Sequence, residues 1–69
     1  MTGYLVVIER ADSNFGAYIP DLPGCVATGD TIEEVRKLMQ EAIQMHISSL
    51  REHGEPVPPP SSSAEYLVV

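Results

Sequence analysis

Short apolar runs, separated by turn-forming polar residues, fill the first third of the chain. Tyr4-Leu5-Val6-Val7-Ile8 is β-branched and aromatic and too short for a stable helix, so it predicts a strand. Asp12-Ser13-Asn14 is turn chemistry, and Phe15-Gly16-Ala17-Tyr18-Ile19 predicts a second strand paired with the first in a hairpin. Pro20 closes that strand because proline brings no ladder donor. Asp21-Leu22-Pro23-Gly24 predicts another turn, and Cys25-Val26-Ala27-Thr28, ended by Gly29, a short third strand.

The pattern then changes period. Val35, Met39, Ala42, His46 and Leu50 recur at helical spacing, with Ile32 and Ile43 beside them. Thr31 and Glu34 have the spacing of a capping box, and Gly54 with Pro56 forms a stop signal. The connector Glu55 to Ser63 is rich in proline and serine, which makes it extended. Ala64-Glu65-Tyr66-Leu67-Val68-Val69 predicts a final strand. The chain is therefore expected to be one α+β domain over 1–69: a three-stranded meander over 1–29, a helix over 31–53, a connector over 54–63 and a C-terminal strand over 64–69. Pairing the last strand in parallel with the first through a right-handed crossover predicts a two-layer β-β-β-α-β fold. Its mixed four-stranded sheet has the order 4-1-2-3, with one helix on one face.

One helix covers one face of such a sheet. Period-two alternation puts Tyr4, Val6 and Ile8 on one side of the first strand and Leu5 and Val7 on the other, and Tyr66 and Val68 repeat the pattern at the end of the chain. The face away from the helix would expose large apolar side chains together, which predicts an interaction surface and a homo-oligomer. The bland reading is that the C-terminal strand or the connector folds over part of that face.

Charge sharpens this. The formal net charge is −6 and the sequence pI near 4.5, a balance opposed to a phosphate backbone as ligand and suited to a basic protein partner. One cysteine, Cys25, allows no internal disulfide and points to the cytoplasm. No apolar run approaches the roughly 20 residues of a membrane helix, and no membrane association is expected. Candidate chemistry is thin. His46 and His53 are seven positions apart, about 10.5 Å along a helix axis, too far to share one ion. Cys25 reads as a small core residue, and Ser61 to Ser63 as solvated linker with no base implied nearby. Glu9, Asp12, Asp21 and Asp30 are better explained as strand-end and turn residues than as a magnesium site. No enzyme activity, metal or cofactor is expected.

The stretch from Phe15 to Glu34 resembles the HicB antitoxin family. A hairpin strand leads into Pro20-Asp21-Leu22-Pro23-Gly24-Cys25, then a short strand, Gly29-Asp30-Thr31 and an acidic helix start. The likeness continues through Ala42-Ile43 and Gly54-Glu55-Pro56-Val57-Pro58 and covers nearly the whole chain. It implies a partial RNase H-like fold, consistent with the topology above. It also implies a non-catalytic domain that blocks a small, basic, mRNA-cleaving HicA-like toxin. Complete antitoxins of the family carry a C-terminal DNA-binding module; none is seen before Val69, so direct DNA binding is not expected. Pro20, Leu22, Pro23, Gly24, Gly29, Asp30 and Thr31 are read as architectural, and Asp21 as both architectural and partner-facing. Partner contact or an oligomer interface is expected at Leu5, Val7, Glu9, Tyr18, Asp21, Tyr66 and Val68. The expected function is thus an antitoxin-type binding module, dimeric or tetrameric. The alternative is a stand-alone homo-oligomeric structural or regulatory protein with no toxin.

Overall fold

Asp12, Ser13 and Asn14 reverse the chain, and the Ala11 amide donates to the Asn14 carbonyl at 2.8 Å to close the turn. In the computed structural model, which describes residues 3–69, this hairpin joins β1 (Val7–Arg10) to β2 (Phe15–Tyr18). Ile8 stands opposite Ala17 and Val7 opposite Tyr18. The second turn is tighter. The Leu22 amide donates to the Ile19 carbonyl and the Cys25 amide to the Leu22 carbonyl, each at 3.1 Å, while Gly24 takes a φ of 86° that disfavours side chains. This returns the chain as β3 (Val26–Gly29), antiparallel to β2, with Val26 beside Tyr18 and Ala27 beside Ala17.

Helix α1 (Ile32–Glu52) begins where the Thr31 hydroxyl accepts the Glu34 amide at 3.1 Å, relieving one of the orphan donors of the first turn. Glu33 and Glu34 place negative charge at the positive end of the helix dipole. Its other end is a Schellman closure. Gly54, at φ 67°, donates to the Arg51 carbonyl, and Glu55 donates to that of Leu50.

Alternation and helical spacing converge on one core. Ala17, Ile19, Leu22 and Cys25 from the sheet side meet Val35 and Met39 from α1, and Tyr4, Val6, Phe15, Ala27, Ala42 and Ile43 pack around them. Burying each of the larger side chains contributes roughly 1.5–3 kcal/mol. The helix lies over β3 and β2 rather than over β1.

The sheet has three strands in the order β1-β2-β3, all antiparallel, so the expected mixed four-stranded sheet of order 4-1-2-3 does not form within the chain. The overall α+β character stands, and the meander expected at the start is present. The reason lies in the connector. Pro56, Pro58, Pro59 and Pro60 cannot donate to a ladder. The Tyr4 hydroxyl donates to the Pro58 carbonyl, and Ser61 and Ser62 are bonded to Asp21 just past the end of β2. The chain is thus pinned at the end of the sheet where β1 begins, and 64–69 run past it with no strand partner. Tyr66, Val68 and Val69 are each more than 100% exposed relative to an isolated residue, so they touch essentially nothing. The radius of gyration, 13.2 Å, reflects this projection; a compact chain of this length has about 11 Å.

Candidate binding surface

Residues paired across a ladder share a face of the sheet. Ile8, Ala17 and Ala27 therefore face the helix, and Val7, Tyr18 and Val26 form a row on the opposite face. Glu9, opposite Gly16, lies on that outer face, next along β1 from Val7. Leu5, between the core-packed Tyr4 and Val6, alternates to the same side. Tyr18 is 41% exposed and Val26 64%, whereas Leu5 and Val7 are half-buried. A Cβ built on Gly16 meets nothing within 4 Å, so the middle of the face is open. The surface is a shallow apolar patch with a carboxylate at one side. It can bury a complementary surface and steer a cationic one.

Four of the expected contact residues, Leu5, Val7, Glu9 and Tyr18, are thus brought onto one face. Val26, which was not among the expected residues, belongs with them, paired with Tyr18 one strand further on. Tyr66 and Val68 are not on this face; they lie on the projecting tail. Asp21 is engaged elsewhere. Its Oδ2 accepts the Ser61 and Ser62 amides at 2.9 and 3.0 Å, and its Oδ1 accepts their hydroxyls at 3.1 and 2.8 Å. These bonds, led by the Ser62 and then the Ser61 amide, hold the carboxyl at about 2, below its ordinary value of 3.8. The serines, expected to be free linker, form a latch with Asp21 across forty residues of sequence. Only the short polar side chains, able to donate from both backbone and hydroxyl, hinted at it.

A second concavity lies on the helix side of the sheet, along β1. Because α1 sits over β2 and β3, the strip between the segment entering β1 and the helix is unfilled, a groove of about 580 Å³. Tyr4, Val6, Ile43, Ile47 and Val57 supply its apolar lining.

The nucleophile and metal candidates have structural surroundings. Cys25 is buried with its thiol 4.0 Å from the Met39 sulfur, and burial raises its pKa, which opposes the reactive thiolate. His53 Nδ1 donates to the Ser49 carbonyl at 2.7 Å, and His46 is half-buried on α1. Among the described residues no three His, Cys, Asp or Glu side chains converge as a metal site, and no helix is long and apolar enough to cross a membrane.

The fold is thus a three-stranded antiparallel meander packed on one helix, with an apolar sheet face left uncovered beside an acidic side chain. The chain belongs to the HicB-like antitoxins of bacterial toxin–antitoxin systems, whose family model matches residues 4–68. It is 38% identical over 67 residues to a UPF0150 protein of Thermoplasma acidophilum, a match spanning 96% of this chain and 94% of that one. A UPF0150 protein of Synechocystis is 41% identical over 56 residues, 80% of this chain and 71% of the relative. An uncharacterized 14.9 kDa protein of Haemophilus phage HP1 is 33% identical over 64 residues. This chain matches 93% of its own length there but spans only 48% of the phage protein. Among solved structures, a chain of a HicA3 and HicB3 toxin–antitoxin complex superposes with a TM-score of 0.73 at 35% identity, over 86% of this chain and 70% of that one.

Proposed function

We propose that the chain neutralises a small basic HicA-like toxin by covering the toxin's RNA-contacting surface with the outer sheet face. The observation that carries this reading is the row Val7, Tyr18 and Val26, apolar and uncovered, with Glu9 beside it. Family membership and the likeness to a chain from a toxin–antitoxin complex support the antitoxin role. A surface evolved to grip phosphates is basic, and the net charge of −6 complements it. Apolar contact at the centre supplies the affinity, and charge at the edge supplies orientation and encounter rate. Inhibition is steric and electrostatic, and it requires no chemistry from this chain.

The test is an mRNA-cleavage assay with a HicA-like toxin. The wild-type chain is expected to abolish cleavage near equimolar ratio. Tyr18→Asp with Val26→Asp buries two charges in the contact and should weaken inhibition at least about 100-fold. Lys37→Ala, on the exposed side of α1, should leave inhibition unchanged. Full inhibition by the double variant would move the toxin off this face.

A further inference from the structure

We infer that Gly16, with Glu9 and Thr28 on either side, forms a notch in the outer sheet face that receives one arginine side chain of the basic partner. This site deepens the proposed function and rests on it for the identity of the partner.

Gly16 lies inside β2, where a glycine weakens the strand because it brings no side chain to pack. Neither the backbone nor the core asks for it. Its φ is not positive, unlike that of Gly24 and Gly54, and a Cβ placed on it meets nothing within 4 Å. The fold therefore accepts a larger residue at this position, and a β-branched one suits a strand better. What a glycine does provide is approach from outside: with open space above it, a ligand can come down onto the strand backbone.

The neighbouring side chains define the ligand. Glu9 stands opposite Gly16 on β1 and Thr28 opposite it on β3, so the three form one row on the outer face. Two strand spacings, about 9.6 Å, separate the outer two, and the missing side chain between them leaves a slot one side chain wide. Glu9 and Thr28 are both exposed, one offering a carboxylate and the other a hydroxyl oxygen. Tyr18, two residues along the same side of β2, supplies a partly exposed aromatic ring at the end of the slot. A flat cation that donates several hydrogen bonds and stacks on aromatic rings suits all three, and that is the guanidinium of arginine. Its aliphatic stem lies along the bare Gly16 backbone. Arg10, beside Glu9 in sequence, does not fill the slot, because it is paired with Phe15 on the helix-facing side.

The experiment is calorimetric titration of the full chain with a HicA-like toxin, paired with thermal melts. Gly16→Val should melt at the same temperature or higher, yet bind the toxin at least about tenfold more weakly because its side chain fills the slot. Glu9→Gln should also weaken binding about tenfold, and the two changes together should cost little more than Gly16→Val alone, since both remove one contact. Changing the toxin's surface arginines to lysine one at a time should find one position that matters to the wild-type chain and not to Gly16→Val. Wild-type affinity in Gly16→Val, with binding lost in Tyr18→Asp with Val26→Asp, would overturn the notch and leave the proposed function standing. A lowered melting temperature in Gly16→Val would make the glycine structural and overturn the notch too, as would fully additive losses or the lack of any such arginine. Unchanged affinity in Tyr18→Asp with Val26→Asp would instead remove the proposed function itself.

Discussion

Leu22 lies within a Pro-Asp-Leu-Pro-Gly turn, yet its side chain is wholly buried. Turn chemistry made its backbone role legible; its apolar side chain inside a polar turn was the hint that it anchors the loop to the core. Leu22→Ala should therefore cost about 2–4 kcal/mol in urea unfolding, a core-sized loss at a turn position. Asp21, its neighbour, carries a different prediction. Its folded pKa of about 2 lies below the ordinary 3.8, so the unfolded chain takes up the proton first. The latch's contribution is then complete above about pH 4 and is lost as pH falls toward 2. In Asp21→Ala the Ser61 and Ser62 amides should exchange with solvent at least about tenfold faster at neutral pH, by NMR, while core amides keep their protection. Nothing in the local sequence joins positions forty apart, so this contact needed the fold.

At the scale of elements, the local signals that worked were those the backbone itself enforces. Thr31 caps α1 and Gly54 closes it, as their residue types and spacing predict. Thr31→Ala should cost about 1 kcal/mol, and Gly54→Ala a similar amount for holding a side chain at positive φ. Gly29 carries a constraint that its reading as a strand stop missed. A Cβ there falls 2.9 Å from the Glu34 carboxylate and 3.1 Å from Val35 Cγ2, where β3 meets the helix start. The Glu34 side chain can swing aside, but buried Val35 cannot, so Gly29→Ala should lower stability by about 1–3 kcal/mol. Thermal melts followed by circular dichroism would rank the three. The fourth strand marks the limit of local reading. Residues 64–69 have strand propensity, but propensity does not say which edge receives them, and the connector's prolines and latch direct them away from their own sheet.

For the whole molecule, alternation along the first strand made the outer face legible at Leu5 and Val7, and the register brings Glu9, Tyr18 and Val26 onto it. What alternation could not give was the position of the helix over β2 and β3, which leaves the β1 side grooved. The acidic net charge has a kinetic consequence at this scale. Association with a basic toxin should slow as salt rises, by about tenfold between 50 and 500 mM sodium chloride in stopped-flow mixing, with dissociation little changed. The proposed inhibition depends on which face a toxin covers. Amide chemical-shift mapping of the ¹⁵N-labelled chain during titration with a HicA-like toxin reads that face out residue by residue. Shifts should concentrate at Val7, Glu9, Tyr18 and Val26, with the solvent side of α1 around Lys37 and Glu41 unmoved. Shifts centred on α1, with those four amides unchanged, would contradict it.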